Sequence, residues 1–478
     1  MPDDGEPLRP RDVLTSVRAE RLPVRVDPEH VFASLFAAEA HAFWLDAGIR
    51  HERGVSYLGA ASPSRPSYLV HEGRLQRLRR GAAGDETVPV DGTLAEALRS
   101  WRAPTGGGSR DGDPGRSPLG WVGWFGYEYG AGRAGVPTTP SPYPDAALLA
   151  ADRLIAIDGE SSQPVLWFLN DESGREWASR TAFRLRALAE DDARPEGHPV
   201  EPLSEASPPR WRNSDDDYLR MIEACQRAIR AGDAYQLCLT TSVSVQTEVD
   251  PFEVYRRVRR NSLAERGGYL RVGDVAMLSA SPELFLEVSD GVAVTRPVKG
   301  TRRRGSTEEE DAALRDVLAA DAKERAENLM IVDLMRNDLS RVSRLGGVSV
   351  TGLLEVETHA HVHQLASTIR AELAAGTDAL DVLDACFPAG SMTGAPKISA
   401  MRILHELERA PRGIYSGCFG RLGLDGSAEL AMVIRTIVMS GGEATIGTGG
   451  GITALSVPAN ELAEVKLKAA ALLAALGA

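Results

Sequence analysis

Residues 274–305 read DVAMLSASPELFLEVSDGVAVTRPVKGTRRRG, in which two strand-like runs, 274–288 and 291–298, lead to Lys299. Runs rich in apolar and β-branched residues are typical of antiparallel hairpin strands. Other strand candidates in this half of the chain lie at 235–244, 415–424, 428–440 and 443–448. Helix candidates lie at 215–231, 307–339 and 459–476. Hairpin strands interrupted by a few long helices predict an α+β fold rather than a doubly wound parallel sheet.

The composition is that of an ordinary water-soluble protein. Of 478 residues, 43% are hydrophobic and 25% are charged. A net charge of −13, from 54 Lys and Arg against 67 Asp and Glu, argues against general affinity for nucleic acid or an anionic membrane. The acidic N-terminus lacks the basic start and apolar core of a secretory signal, and no apolar run is long enough to cross a membrane. The four cysteines lie singly, without metal-ligand spacing, and predict reduced thiols in a cytoplasmic protein.

Two stretches rich in proline, glycine or acidic residues interrupt the chain. Residues 103–118 (APTGGGSRDGDPGRSP) predict a loop within the N-terminal half, and residues 189–209 (AEDDARPEGHPVEPLSEASPP) predict a boundary. We therefore expect an N-terminal region over 1–205 and a C-terminal region over 210–478, packed into one unit.

Lys299 has the sharpest chemical interpretation. Its neighbours Pro297 and Gly300 constrain the backbone and let the main chain approach a ligand closely. A lysine made nucleophilic here could attack an electrophilic carbon and form a covalent intermediate. The alternative is a surface lysine at the end of a hairpin strand, since lysines are mostly exposed.

Two acidic pairs share one spacing. Glu324 and Glu327 lie three residues apart in one helix candidate. Glu461 and Glu464 repeat that spacing in another. On a helix each pair presents two carboxylates from one face, and two such helices facing each other would suit Mg²⁺, which prefers carboxylate and water oxygens. The alternative is a pair of solvated helix faces with ordinary ion pairs.

Two glycine-rich segments could offer backbone N–H groups to an anion. Phe387–Lys397 precedes a helix candidate near Ile398, and Thr448–Ile452 follows a short strand. Neither fits the phosphate-loop pattern or the dinucleotide-binding fingerprint, so a substrate carboxylate is favoured over a nucleotide phosphate. The alternative for each segment is a structural turn.

Single polar residues in strand-like surroundings complete the candidate site. Arg435 in an apolar run needs a partner or a ligand, and its guanidinium suits a carboxylate. Tyr415 can add a hydroxyl donor. Glu283 could act as a general acid if burial raised its pKa, and the neutral Gln236 could position an uncharged nucleophile. Each also has a structural interpretation, as a buried ion pair, a core tyrosine, a surface glutamate or a strand amide.

Taken together and in this order, the segments of residues 215–476 resemble the chorismate-binding family. This family includes anthranilate synthase component I, aminodeoxychorismate synthase component I, and the isochorismate and salicylate synthases. The motifs that carry the resemblance are GDAYQ (232–236), SPELF (281–285), RPVKGTR (296–302), RAENLMIVDLMRND (325–338), FPAGSMTGAPK (387–397), YSG (415–417), IRT (434–436), GGGI (449–452) and ExxExxxK (461–468). The N-terminal half matches more loosely, through FWLD (43–46), WFGYE (124–128) and PDA (144–146). The resemblance implies two packed, largely antiparallel β-sheets flanked by helices.

Two positions indicate which reaction the resemblance implies. Water-using members carry a lysine base where this chain has Gln236, which implies ammonia as the nucleophile. Anthranilate synthases typically carry alanine where this chain has Lys299, whereas para-aminobenzoate-branch enzymes carry lysine. The resemblance thus implies amination of chorismate at C4 through a covalent bond to Lys299. The alternatives are the reactions of anthranilate synthase or aminodeoxyisochorismate synthase, or a non-catalytic homologue.

The resemblance also implies a cofactor. Mg²⁺ would bind the ring carboxylate of chorismate, held mainly by Glu327 and Glu464. Glu324 and Glu461 would support it.

Further roles follow from the same resemblance. Glu283 would protonate the departing C4 hydroxyl, while nearby Mg²⁺, Arg296 or Arg302 would lower the pKa of Lys299. The residues that would hold the rest of the substrate are Gly300, Thr301, Tyr415, Arg435, Gly449, Gly450, Gly451 and Lys468.

The sequence also bears on the source of ammonia, on a shifted histidine and on a tryptophan site of some relatives. No cysteine lies in the Gly-x-Cys-x-Gly elbow of glutamine amidotransferases, because Ser416–Gly420 lacks the first glycine. The resemblance therefore implies a separate glutamine amidotransferase subunit. The histidine that often directly precedes Leu-Val-Ser in the family is here His363, one residue early, and we keep it as a candidate site residue. A tryptophan site of some relatives would lie near Trp44, where core packing is the simpler expectation.

Overall fold

The structure is a computed structural model that describes residues 16–49, 54–81, 84–101, 117–191, 207–262, 264–359 and 362–478. Most of the loop predicted at 103–118 and most of the boundary predicted at 189–209 lie outside these residues.

The strands run in chain order as follows: β1 (Val17–Arg21), β2 (His41–Asp46), β3 (Val55–Ala60), β4 (Ser67–His71), β5 (Arg74–Gly81), β6 (Gly84–Pro89), β7 (Gly120–Phe125), β8 (Ala146–Ala151), β9 (Arg153–Asp158), β10 (Pro164–Leu169), β11 (Arg210–Trp211), β12 (Gln236–Gln246), β13 (Arg266–Val272), β14 (Val275–Ser281), β15 (Leu284–Ser289), β16 (Val292–Arg296), β17 (Val298–Arg303), β18 (Ser343–Thr358), β19 (Val362–Leu373), β20 (Gly394–Ala395), β21 (Cys418–Gly423), β22 (Ala428–Met432), β23 (Thr436–Ser440) and β24 (Glu443–Ile452).

The helices are α1 (Pro28–Leu35), α2 (Leu94–Arg99), α3 (Tyr127–Arg133), α4 (Glu172–Asp191), α5 (Asp215–Ala231), α6 (Pro251–Asn261), α7 (Glu308–Ala320), α8 (Ala322–Ser340), α9 (Ala379–Cys386), α10 (Gly390–Thr393), α11 (Lys397–Glu408) and α12 (Pro458–Leu476).

Among the described residues the strands form two 12-stranded sheets in which neighbouring strands pair antiparallel. The first sheet has the order β1-β10-β9-β3-β2-β13-β14-β23-β24-β12-β11, with β20 beside β12. The second has the order β17-β19-β16-β15-β22-β21-β7-β8-β4-β5-β6, with β18 beside β19. The α+β class and the two largely antiparallel sheets flanked by helices are confirmed.

The sheets pack face to face, and residues of both form one hydrophobic cluster between them. The ring of Phe419 in the second sheet lies on Gly268 in the first, where an added Cβ would come within 2.4 Å of it. On the outer face of the first sheet, Trp44 is fully buried, with Tyr255 of α6 in edge contact at 5.6 Å between ring centroids. Trp44 is thus a core residue, which agrees with the simpler expectation.

Both sheets combine strands from the two halves of the sequence. In the first sheet, β2 pairs with β13 from Asp46 opposite Gly267 to His41 opposite Val272. In the second, β7 pairs with β21. Residues before and after the predicted boundary therefore share both hydrophobic layers.

Two predicted strands each turned out to be two strands in different sheets. The candidate at 274–288 divides into β14 in the first sheet and β15 in the second, with Pro282 and Glu283 between them. The candidate at 428–440 divides into β22 and β23 in the same way, and Arg435 lies at the bend with a φ of 52°. A continuous apolar pattern concealed both crossings, because buried residues are required on either side of each.

The long helix predicted at 307–339 was also wrong as a single element. It divides into α7 and α8 at Asp321, whose backbone is extended at φ −65° and ψ 111°. The Asp321 carboxylate accepts hydrogen bonds from the N–H groups of Lys323 and Glu324 at 3.0 and 3.1 Å. Aspartate is a favoured N-cap because its side chain satisfies free N–H groups of the first turn.

The structure also bears on the cysteines and on membrane-spanning helices. All four cysteines are buried and unbonded, as predicted. In the part of the chain that the structure describes, no helix is both long and apolar enough to cross a membrane.

Candidate active site

Lys299 lies in β17 opposite Leu365 of β19, at a β-bulge where Gly300 is the extra residue. Gly300 has a φ of 76°, a left-handed conformation that glycine adopts readily. An added Cβ would come within 2.8 Å of the Leu318 side chain and 3.1 Å of Glu324 Cγ. The glycine therefore allows the α7–α8 segment, with its glutamates, to pack close to Lys299.

Opposing influences act on the Lys299 amine. Burial lowers its pKa, but the carboxylates of Glu327, Glu283 and Glu324 and the Cys238 thiol raise it, and the net shift is above the ordinary value. In this state the amine is an ammonium ion at neutral pH. It must lose a proton before it can act as a nucleophile.

The arginines proposed to lower this pKa have other partners. Arg296 forms an ion pair with Glu357, and Arg302 binds Asp321 at 2.9 Å. Neither guanidinium is among the largest influences on the pKa of Lys299. The expectation that Arg296 or Arg302 keeps Lys299 neutral is not supported by this geometry, because each cation is neutralised by a nearer carboxylate.

Glu283 lies at the crossing between β14 and β15 and is 7% exposed. Burial raises the pKa of its carboxyl, whereas Lys299 and a hydrogen bond with Ser391 lower it, and the net shift is upward. A carboxyl that keeps its proton beyond its ordinary range is suited to donate that proton to a leaving group. Glu283 is buried, as its expected role as a general acid requires.

The two acidic helices meet beside the triglycine segment of β24. An added Cβ on Gly451 would lie 3.2 Å from Glu327 Oε2 of α8. An added Cβ on Gly450 would lie 3.5 Å from Glu461 Oε2 of α12. The absence of side chains at these glycines leaves room for carboxylates from both helices.

Lysines neutralise these carboxylates in the structure. The Lys323 ammonium lies 2.6 Å from Glu461 and 3.7 Å from Glu327. Lys468 lies 2.7 Å from Glu464 and donates a hydrogen bond to the carbonyl oxygen of Gly449 at 2.8 Å. Across the described ranges, no three or more His, Cys, Asp or Glu side chains are spaced to hold a metal ion.

The residues nevertheless fit Mg²⁺ chemically. The buried Oε1 atom of Glu327 has no hydrogen-bond partner among the described residues, and Lys323 is too distant to donate one. Burial raises the pKa of Glu327 while Lys299 and Lys323 lower it, with a net upward shift. Carboxylate oxygens are the ligands that Mg²⁺ prefers, and a nearby cation would favour the ionised form of this group.

The triglycine segment differs from its predicted form. We expected Gly449–Gly451 to follow a strand as a compact anion-binding turn, but these residues lie inside β24 and pair with Thr240, Leu239 and Cys238 of β12. The ladder between β24 and β23 ends at Ile446, so beyond it the second edge of the strand has no partner strand in the described chain. Any contact between these backbone amides and an anion must use that edge.

Gln236 is the first residue of β12 and is fully buried. Both polar atoms of its side chain lack a hydrogen-bond partner in the described part of the chain. An added Cβ on Gly451 would come within 2.4 Å of its Nε2 atom. An unsatisfied buried amide costs about 1–3 kcal/mol, so this side chain points to a polar ligand or water in the site.

Tyr415 and Arg435 approach β24 and α12. The Tyr415 ring lies on Gly447, where an added Cβ would come within 2.1 Å of it. Arg435 is an exposed residue at the bend, not inside a strand as predicted, and donates to the carbonyl oxygen of Lys468 at 3.1 Å. Among the described carboxylates, Glu464 lies near enough to act electrostatically on the Arg435 guanidinium. The remaining donors of the guanidinium can bind an anion.

His363 is a buried residue with partners inside the protein. It is 1% exposed and contacts Asp311 at 2.9 Å and Thr358 at 3.0 Å through its two ring nitrogens. The residue opposite the exposed Thr301 is Gln364. The one-residue shift seen in the sequence thus gives His363 internal partners and brings Gln364 beside a predicted substrate-binding residue.

Comparison with known proteins identifies the family of this chain. Residues 79–474 match the family model of chorismate binding enzymes. The chain belongs to this family. It is 41% identical to an aminodeoxychorismate synthase of Streptomyces griseus, over 98% of this chain and 65% of that protein. It is 35% identical to an anthranilate synthase component 1 of Mycobacterium tuberculosis, over 88% of this chain and 84% of that protein.

A solved structure of this chorismate-binding family has the same architecture. Anthranilate synthase component I from Streptococcus pneumoniae superposes with a TM-score of 0.73 at 27% identity, over 95% of this chain and 99% of that one. The match extends over nearly all of that solved chain but over slightly less than two thirds of the Streptomyces griseus protein.

Two polar residues of this candidate site were missed from sequence. Lys323 directly precedes Glu324 and pairs with Glu461. Ser391 lies in the glycine-rich segment and bonds to Glu283. The spacing of acids drew attention to the carboxylates alone, although the adjacent Lys323 was a visible signal.

Proposed function

We propose that this chain aminates chorismate at C4 to give 4-amino-4-deoxychorismate, with ammonia from a separate glutamine amidotransferase. The product would lead to p-aminobenzoate, for folate or for a secondary metabolite. One observation carries the proposal: the half-buried Lys299 lies among the carboxylates of Glu327, Glu283 and Glu324, so a nucleophile and an acid share one site. Glu283 and Glu327 are buried there. The 41% identity to an aminodeoxychorismate synthase supports it.

Mg²⁺ would be held mainly by Glu327 and Glu464, with Glu324 and Glu461 supporting, and would neutralise the ring carboxylate of chorismate. Binding of a divalent cation at these carboxylates would also remove the negative charge that raises the pKa of Lys299. Of the three cations expected to favour the neutral amine, Arg296 and Arg302 pair with Glu357 and Asp321, so the metal would add to the effect of burial.

The enolpyruvyl carboxylate of chorismate would bind near Arg435. The Arg435 guanidinium and the Tyr415 hydroxyl would bind its oxygens. Lys468 and the Gly449–Gly451 edge of β24 would complete the pocket, while Thr301 and Gly300 lie beside Lys299 on β17. His363 is given no catalytic role, because both of its ring nitrogens have internal partners.

The covalent step balances as two allylic displacements. The neutral Lys299 amine forms a bond to C2, and both ring double bonds shift, from C1=C2 to C1=C6 and from C5=C6 to C4=C5. The C4–O bond breaks and the hydroxyl leaves as water with the Glu283 proton. The Glu283 carboxylate then accepts a proton from the new secondary ammonium. Ammonia, positioned by Gln236, bonds to C4, both double bonds shift back, and the C2–N bond breaks as the Lys299 nitrogen takes the proton held by Glu283. The new C4 ammonium then returns a proton to Glu283. The sum is chorismate plus ammonia giving the aminated product plus water.

Incubation of the pure chain with chorismate, MgCl₂ and ammonium at alkaline pH tests the proposal, with the product identified by mass and ultraviolet spectrum. We expect the C4-aminated product without pyruvate release. Anthranilate as the main product would assign the chain to the reaction named for its 35%-identical relative instead. An aminated isochorismate product would indicate aminodeoxyisochorismate synthase, and no turnover with active substrate would indicate a non-catalytic homologue.

A further inference from the structure

Lys323 lies where the proposed cation site requires positive charge. Its ammonium is 2.6 Å from Glu461 of α12 and 3.7 Å from Glu327 of its own helix. The two carboxylates are 3% and 7% exposed in their side chains, whereas that of Lys323 is 31% exposed. Two buried carboxylates approach each other from different helices, and one lysine at the rim of the site bridges them.

The position of this amine is determined by the start of α8. Asp321 ends α7 and accepts a hydrogen bond from the N–H of Lys323 at 3.0 Å, which places the lysine in the first turn of α8. One turn later, Glu327 lies on the same helix face. The α7–α8 break therefore directs the ammonium toward α12.

An ammonium ion and Mg²⁺ would need the same oxygens. Buried carboxylates that face each other require a neighbouring cation. The ammonium supplies the charge to both and a hydrogen bond to Glu461. Mg²⁺ demands short contacts to several oxygens at once, and these oxygens would have to release the ammonium first.

We propose that Lys323 is a built-in counter-ion that competes with Mg²⁺ for Glu327 and Glu461 and thereby weakens metal binding to the free protein. This inference rests on the proposed function, because it uses the metal site assigned there. The partial exposure of Lys323 gives the displaced ammonium a route to solvent. The residue holds the acidic helices together before the metal binds and leaves when it does.

The direct test is metal affinity without substrate. Mn²⁺ binding is followed by electron paramagnetic resonance, and Mg²⁺ is titrated as a competitor, with the full chain and its K323Q, K323M and K323R variants. We expect K323Q and K323M to bind both ions at least about fivefold more tightly, because a competing positive charge has been removed. K323R, which keeps the charge, should bind close to the parent.

K466Q is the matched control. Lys466 lies on α12, pairs with Asp215 at the surface, and its replacement removes the same charge from the chain. We expect K466Q to bind metal as the parent does. If metal affinity rose equally in K323Q and K466Q, the effect would be one of net charge and the proposal would be overturned. Unchanged or weaker metal binding in K323Q and K323M would also overturn it.

Thermal unfolding adds a second measurement. Without metal, K323Q should unfold at a lower temperature than the parent, because Glu327 and Glu461 lose their counter-ion. Added Mg²⁺ should raise the unfolding temperature of K323Q by more than that of the parent, since tighter binding stabilises more. Equal metal-induced shifts would overturn the proposal. The product assay with ammonium is separate, so failure of the proposed reaction and failure of the counter-ion role give different results.

Discussion

The backbone N–H of Ala280 donates a hydrogen bond to the carbonyl oxygen of Arg435 at 3.0 Å. This bond joins the two segments by which the chain passes from one sheet to the other. A second bond, from the N–H of Met432 to the carbonyl oxygen of Glu283 at 3.1 Å, joins the same segments. The proposed general acid and the proposed carboxylate-binding arginine are therefore held on adjacent backbones, although 152 positions (435 minus 283) separate them in the chain.

Replacement of Lys299 by alanine should abolish formation of the C4-aminated product. We expect a rate loss of at least about 10³-fold, because the nucleophile of both displacements is removed. Product formation is measured by chromatography and mass spectrometry, with the circular dichroism spectrum and chorismate binding as controls for folding. In the parent, a chorismate-derived adduct on the Lys299 peptide should accumulate when ammonia is withheld. Full activity in K299A would exclude the covalent step.

Replacement of Gln236 by leucine should separate stability from activity. The leucine side chain has a similar volume and no polar atoms, so the variant avoids a buried amide without partners. We expect the free energy of unfolding to rise by about 1 kcal/mol while amination with ammonium falls at least about tenfold. Denaturant unfolding and the product assay measure the two effects. A loss of stability would show that the amide is satisfied in solution, for example by ordered water.

Two neighbouring glycines provide a matched pair of substitutions. In G451A the new methyl group would meet Gln236 Nε2 at 2.4 Å and Glu327 Oε2 at 3.2 Å, so both side chains must move. In G450A the nearest atom is Glu461 Oε2 at 3.5 Å, an ordinary contact. We expect G451A to lose about 1–3 kcal/mol of stability and most of its activity, and G450A to retain its stability within about 0.5 kcal/mol. Equal behaviour of the two variants would contradict the described packing around Gln236.

The raised pKa of Glu128 predicts that the free energy of unfolding falls as pH rises. Burial raises the pKa of its carboxyl from 4.5 to about 7, although the N–H groups of Arg412 and Gly413, at 2.8 and 2.9 Å, lower it. Between these values the folded chain holds a proton that the unfolded chain has lost, so stability falls as pH rises through this window. The loss amounts to about 3 kcal/mol between pH 4.5 and 7.

The test for Glu128 compares the unfolding free energy of the parent and E128Q across this pH range. The parent should lose stability with rising pH more steeply than E128Q, which carries no titrating group at this position. E128Q should also be less stable at the acidic end, because one amide oxygen cannot replace two carboxyl acceptors. Parallel pH profiles would show that Glu128 titrates equally in both states.

Local features of the sequence were sufficient for much of this site. The three-residue spacing of Glu324 and Glu327 places both on one face of α8, because helix geometry depends on neighbouring residues alone. The same argument holds for the acidic pair of α12. Strand periodicity and the order of motifs sufficed for the α+β class and for membership of the chorismate-binding family.

Only the tertiary structure decided what each charged group contacts. Arg296 and Arg302 lie close to Lys299 in the sequence but pair with Glu357 and Asp321, which reach them through strand pairing and a helix break. The two sheet crossings were invisible because apolar residues continue on either side. Lys323 bridges to Glu461 across 138 positions of the chain. Periodicity shows on which face of a helix or strand a side chain lies. The groups opposite that face come from distant segments of the chain, and these groups decide the charge state and the partners of the side chain.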